Sequence, residues 1–280
     1  MIAFAANSVL GRLALDGTDI DAYSYTSIRL ISAAITLVLL LVLIKGARVK
    51  LPRDWLSAFM LFGYAMAFSL AYLRLETAMG ALILFGIVQL TMIGWGIVSG
   101  ERLSASACVG VFMACGAFIY LMLPGLSAPD TLGAVLMAVS GICWGVYSLL
   151  GRHSKQKGGG DPLARTSSNF VWSLPFMTVS LVIYTLGFGG GVTLPIEGIV
   201  LAVMSGAVTS GAGYAIWYRV LKDLTATRAS IVQLSVPVIA AIGGVVFVSE
   251  PLTLRLSLAT IFILGGIALT LMPKTQSKPE

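Results

Sequence analysis

Between residues 25 and 272 the chain is a succession of apolar stretches, separated by short breaks that hold charges, prolines and glycines. Each stretch is about 20 residues long, the length a helix needs to cross roughly 30 Å of hydrocarbon. Nine are read at 25–44, 56–73, 78–98, 105–123, 131–150, 166–187, 197–217, 227–248 and 256–272, with Met1–Leu15 as a shorter tenth. Inside lipid a backbone must satisfy its own N–H and C=O groups, so these stretches are expected as helices. Composition agrees: 58% of residues are hydrophobic, 11% are charged and the mean hydropathy is +0.94, against about a quarter charged in soluble domains. The expected class is an all-α integral membrane protein of ten transmembrane helices. Met1–Leu15 runs on without an Ala-x-Ala site, so it reads as a span and not as a removable signal peptide.

The net charge of +6 calls for no nucleic-acid partner, because basic residues of membrane proteins gather in cytoplasmic loops. With the N-terminus inside, 14 of the 18 Lys and Arg residues fall in inner loops and the tail, and Arg12, Arg29, Arg74 and Arg255 are assigned to the outer side. That bias predicts a multi-pass protein of the cell inner membrane with both termini cytoplasmic. Cys108, Cys115 and Cys143 all fall within spans, where a thiol packs as a small apolar group, and no disulfide framework is implied.

The chain also resembles itself. "SVLGR" at 8–12 returns as "SLLGR" at 148–152, and "IVQL" at 87–90 returns at 231–234. "SGERL" at 99–103 faces "VSEPL" at 248–252, and "GAFIYLM" at 116–122 faces "GIALTLM" at 266–272. Four ordered matches at a slowly growing offset indicate a duplicated unit. Each unit holds five spans, and five is odd, so the second copy enters the membrane from the opposite side. The expected domains are repeats 1–124 and 125–280, an arrangement that places a substrate site near the midplane, between halves that rock about it. In that register the first copy starts about ten residues late, so a trimmed N-terminus is expected.

On these repeats, on Gly100-Glu101, on Ser249-Glu250-Pro251-Leu252 and on Val236-Pro237, the sequence resembles the EamA-type ten-helix transporters of the drug/metabolite transporter superfamily. Within them it is most similar to the YddG-type aromatic amino acid exporters. The resemblance implies a central cavity lined by spans one to four and six to nine, with spans five and ten outside. The ninth-span proline has Met92 or Ile93 as its mate in the fourth, so the halves need not bend equally.

Polar side chains at membrane depth turn towards a cavity or a neighbouring helix. Asn7, Gln89, Asn169 and Gln233 are the amides within spans, and two readings stand for each: contact with a substrate, or a tie between helices. Gln89 and Gln233 are expected to face one cavity, because the tetrapeptide repeat puts them at equivalent depths. Tyr64, Phe68, Tyr72 and Leu75 follow a helical stripe, Tyr214, Trp217, Tyr218 and Leu221 repeat the theme, and Trp144 and Tyr147 lie about one turn apart. Tyr64, Trp144 and Tyr214, deep in their spans, are candidates to stack on a ligand ring, with packing as the other reading. Phe68, Tyr147 and Trp217 are carried as lesser candidates. Tyr72, Trp217, Tyr218, Trp55 and Trp95 lie near span ends, where aromatic belts form. Gly206, Gly211 and Gly213 allow close helix approach, Gly265-Gly266 reads as static packing, and Glu101 and Glu250 read as helix-end anchors.

No Asp, Glu, Lys or His sits in the middle of a span. This argues against phosphorylated cargo, which needs paired cations, and for a neutral or zwitterionic one. It also argues for transport down the substrate's own gradient, without a titrating carboxylate. The only histidine, His153, lies in "GRHSKQKGGGDP", read as a flexible linker, so there is no catalytic or metal set; neither an enzyme nor a cofactor is expected. The expectation is a monomeric carrier exporting small molecules, aromatic or bulky hydrophobic amino acids first. Threonine, homoserine, cysteine or purine-like metabolites, or a passive channel, are the alternatives.

Overall fold

The structure, a computed structural model, describes residues 1–46, 51–100, 103–125, 128–156, 161–220 and 232–271, with every side chain in them except those of 153–156, 218 and 219. Glu101, Leu221, Ile231 and Met272, used above, lie outside the described residues, as do Arg48, Lys50, Arg102, Lys157, Lys222, Arg228, Lys274 and Lys278 among the basic residues counted on the inner side, and the side chains of His153, Lys155, Tyr218 and Arg219.

The described chain is all helical. In order come α1 (Ile2–Gly17), α2 (Ala22–Lys45), α3 (Trp55–Tyr72), α4 (Thr77–Val98), α5 (Ala105–Met122), α6 (Thr131–Gln156) and α7 (Pro162–Val182), which runs into a π-wound turn, Ile183–Gly187. The eighth span is α8 (Ile196–Val203), a π-wound stretch Met204–Ala212, and α9 (Gly213–Val220); α10 (Ser235–Val248) and α11 (Leu254–Thr270) follow. Seven of these spans are long and apolar enough to cross a membrane, and α10 and α11 are shorter apolar helices. Six helix starts carry the expected cap, the side chain of Asp21, Asp54, Ser104, Asp130, Asp161 or Thr253 accepting a backbone N–H from the first turn. α6 continues to Gln156, so the first half of the expected linker 151–162 is the end of a helix.

The membrane class is written on the surface. Phe112, Val98 and Leu186 are 79%, 81% and 83% exposed, and apolar side chains of that size face hydrocarbon at no cost. Inside, the helices approach through small residues. A Cβ at Gly110 of α5 would collide with the carbonyl oxygen of Gly266 on α11, and one at Gly266 with that of Gly110, so these two backbones touch.

Helix pairing has a regular form. α2 packs on α7, α4 on α10 and α5 on α11, while α6 packs on α3 and α4 as α1 packs on the eighth span and α10. Connections alternate between two ends. At one end Glu250 reaches Thr77, Arg74 meets Asp130, Arg255 binds the Tyr120 carbonyl and Asp21 accepts from Thr193 N. At the other end Lys45 meets Asp161 and Ser168 donates to the Pro52 carbonyl.

The two halves are not bent alike. α4 is continuous, whereas the ninth span breaks at Leu234, three residues before Pro237, which then sits in the first turn of α10. That is where a proline is tolerated, since its missing N–H would have no helical partner there.

Candidate functional site

Helices α1, α3, α4, α6, α9 and the start of the ninth span converge on an internal cavity of about 20 Å³, room for about one ordered water. Aromatic rings fill the space around it. Tyr64 of α3 lies 4.8 Å from Trp144 of α6 between ring centroids, and Trp144 meets Tyr214 of α9 edge-on at 5.3 Å. Tyr214 in turn meets Phe4 of α1 at 5.4 Å, and Phe68 stands beside Tyr64 at 5.7 Å. The wall is thus one continuous edge-and-face cluster drawn from both halves of the chain, with Asn7, Ser8 and Gln233 as its polar points.

Of the ten residues picked from the sequence, six line this cavity: Asn7, Tyr64, Phe68, Trp144, Tyr214 and Gln233. The other four do not. Asn169 and Tyr147 bond to each other, Nδ2 to hydroxyl at 3.3 Å, and tie α7 to α6. Trp217 is half-buried one turn beyond Tyr214, 6.0 Å from Phe4. Gln89 is buried with its Nε2 lacking a partner, and it is not part of the cavity wall.

The expectation that both glutamines share one cavity therefore fails for Gln89, and register explains it. Gln233 precedes Glu250 by 17 residues, but Gln89 precedes Glu101 by only 12; Phe85 precedes it by 16, and Phe85 is the α4 residue in the wall. Five residues of helix are about 7.5 Å of depth. The shared tetrapeptide is offset against the acidic turns that end the two spans. Phe4, Ser8, Leu84 and Phe85 were missed by the sequence reading; Phe4 and Ser8 carried a signal, lying within one turn of Asn7 on the same short helix.

A second correction concerns Arg29, assigned above to the outer side. It lies seven residues into α2, about 10 Å from the helix start, and is only 2% exposed. Its Nη2 donates to the Tyr64 hydroxyl at 3.0 Å, and its guanidinium sits 4.6 Å from the Phe68 ring centroid and 5.4 Å from that of Tyr64. Its Nη1 has no acceptor, and among the described residues no carboxylate reaches it. A guanidinium keeps its charge in a protein, and an arginine at this depth costs on the order of 3 kcal/mol. Two cation–π contacts offset about 2 kcal/mol, and an unpaired donor adds about 1–3 kcal/mol of cost. Behind the cavity wall there is therefore a cation that no described carboxylate pairs with, where the sequence suggested an interior without charge.

Polar contacts from α1, α2 and the π-wound stretch meet at Asn7, one of the polar points of the cavity wall. Tyr25 donates to Ser205 at 2.9 Å, Ser205 donates to the Asn7 carbonyl oxygen at 2.5 Å, and the Asn7 amide reaches Ser210 at 3.4 Å. Gly206, inside that stretch, faces the Arg29 carbonyl so closely that any Cβ would collide. π-winding frequently marks functional positions; here it turns Ser205 and Ser210 towards one amide.

At the end of the bundle where Arg74 meets Asp130, Glu250 accepts from Thr77 N at 3.0 and 2.8 Å and pairs with Arg12 at 3.3 Å. Arg12 also donates to the Tyr72 carbonyl at 3.0 Å and pairs with Asp16 at 3.1 Å. Tyr72, expected in an interfacial belt, is fully buried, its ring filling the space beside Gly80. Trp55 and Trp95 are 49% and 59% exposed, as belt residues are.

Residues 131–272 match the EamA-like transporter family. The chain is 48% identical over 274 residues to an uncharacterized protein of Pseudomonas aeruginosa, covering 98% of this chain and 92% of that one. An uncharacterized transporter of Archaeoglobus fulgidus is 24% identical over 280 residues, with 96% and 94% covered. A solved crystal structure superposes with a TM-score of 0.65 at 19% identity over 96% of each chain, a likeness of fold alone. With the matched segment covering just over half the chain and near-full-length relatives beside it, the chain belongs to the EamA-like transporter family, a multi-span membrane carrier of small molecules and not an enzyme.

Proposed function

We propose that this transporter exports aromatic or other bulky hydrophobic amino acids across the inner membrane by alternating access, as the YddG-type exporters it resembles do. The observation that carries this reading is the contact of Tyr64 with Trp144, rings from the two proposed repeats that meet at 4.8 Å in the cavity wall. A flat hydrophobic side chain entering between them exchanges ring-ring contacts for ring-ligand contacts of the same kind. The cavity itself is small, so entry requires the rings to part.

Repeats 1–124 and 125–280 remain our division of the chain. Support comes from the pairing of α2 with α7, α4 with α10 and α5 with α11, each helix with its sequence counterpart. The basic loops give the proposed orientation, cytoplasmic at both termini. Cysteines placed at 50 and 157 are then labelled from the cytoplasm only, and labelling from outside intact cells overturns the orientation.

Cells expressing the protein and fed aromatic dipeptides should release Phe, Tyr or Trp faster than control cells. Unchanged release of all three, with raised release of threonine, homoserine, cysteine or a purine-like metabolite, replaces the aromatic assignment.

A further inference from the structure

We propose that Arg29 is the counter-charge for a carboxylate on the substrate, and that the carrier recognises aromatic carboxylates by that group and does not read their ammonium group. The inference rests on the reading of the aromatic cavity as the substrate site.

Three observations meet here. Arg29 is buried, carries a charge it cannot lose, and holds one guanidinium nitrogen without an acceptor. Its other contacts are the hydroxyl of Tyr64 and the face of Phe68, two side chains that form the cavity wall. Arg29 stands directly against these two wall residues, so a bulky ligand that parts the rings comes within reach of the guanidinium. An arginine fork matches a carboxylate with two parallel N–H donors, and Nη1 supplies the one that is unused.

An ammonium group is provided for less well: it carries three donors and a full charge, and the cavity offers it ring faces for cation–π contact but, among the described residues, no Asp or Glu to pair with. The Asn7 side-chain oxygen already accepts from Ser205, which leaves neutral acceptors, the Ser8 hydroxyl and the Gln233 side chain, to meet it. A zwitterion therefore gains at its carboxylate and loses at its ammonium. A deaminated aromatic acid only gains, so monocarboxylates with one aromatic ring system belong to the substrate class along with the amino acids.

Binding of four indole probes to the purified protein in nanodiscs tests this: indole-3-acetate, tryptophan, indole-3-ethanol and tryptamine, followed by calorimetry. We expect indole-3-acetate to bind tightest, about tenfold or more above indole-3-ethanol, the scale of one charge-assisted hydrogen bond, and tryptamine weakest. Arg29→Gln should erase the preference for indole-3-acetate over indole-3-ethanol, and Arg29→Lys should retain part of it. Should Arg29→Gln fail to fold, the wild-type series decides alone. Binding of indole-3-ethanol as tight as indole-3-acetate overturns the role of Arg29 and leaves the cavity reading standing. Absence of binding by all four, or unchanged affinities in Trp144→Ala, overturns the cavity reading and this inference with it.

Discussion

Glu250, in the loop between α10 and α11, caps α4 through Thr77: both carboxylate oxygens lie within 3.0 Å of the Thr77 backbone nitrogen. A negative charge at a helix N-terminus is held by free N–H groups and by the positive end of the helix dipole. Arg12 of α1 completes the contact, so one carboxylate fastens three spans at one end of the bundle. In the proposed orientation this is the outer end.

Glu250→Ala should therefore destabilise the protein by about 1–3 kcal/mol, because it leaves the Thr77 N–H and the Arg12 Nε without their acceptor, while Arg12 keeps Asp16 and the Tyr72 carbonyl. Glu250→Gln, which keeps one carbonyl oxygen, should lose about half as much. Thermal melts in detergent check both. Equal melting temperatures for wild type and Glu250→Ala would show that the contact does not fasten the bundle.

Glu76, beside this cluster, has its carboxyl pushed above the ordinary range by burial first and by the Glu250 charge second, with Arg12 opposing. A raised carboxyl means that the folded state binds the proton more tightly than the unfolded chain. Its contribution to stability is thus complete below the ordinary carboxylate range and lost as pH rises through the raised value. Glu76→Gln should remove that part of the pH dependence, seen as a flatter melting-temperature profile from pH 4.5 upward. A variant profile parallel to wild type would contradict it.

The two glutamines should now behave differently. Gln233→Leu, in the cavity wall, should weaken substrate binding by roughly 1–2 kcal/mol with little change in melting temperature. Gln89→Leu removes a buried donor that has no partner, so it should hold or raise the melting temperature and leave affinity as it was. Calorimetry and melts on the two variants decide. Loss of affinity in Gln89→Leu alone would restore the equivalence that the repeated tetrapeptide suggested.

The outlines of the spans were legible in sequence because hydrocarbon thickness sets their length and lipid forbids charges on their outer faces. The lining of the candidate cavity was legible where a side chain had to be inside for its own reasons, as with Asn7 and Tyr64. It was not legible where depth or neighbours decide. Arg29 stands close enough to a span end to pass for a surface charge, and only the placement of Tyr64 and Phe68 on α3 shows it buried. Tyr72 sits at a helix end but is covered because Gly80 leaves room for its ring. The π-wound turn at Ser205 answers to Asn7 and Tyr25, which lie about 200 and 180 residues away in the chain.

Uptake of labelled tryptophan into proteoliposomes tests the central claim most directly, measured by counterflow with and without an imposed pH difference. The account predicts uptake that saturates, is competed by phenylalanine and tyrosine, falls at least tenfold in Trp144→Ala (about 1.4 kcal/mol or more), and is not driven uphill by the pH difference, since among the described residues no carboxylate lines the cavity. Uptake indifferent to Trp144→Ala, or accumulation of tryptophan against its gradient under the pH difference, would contradict it.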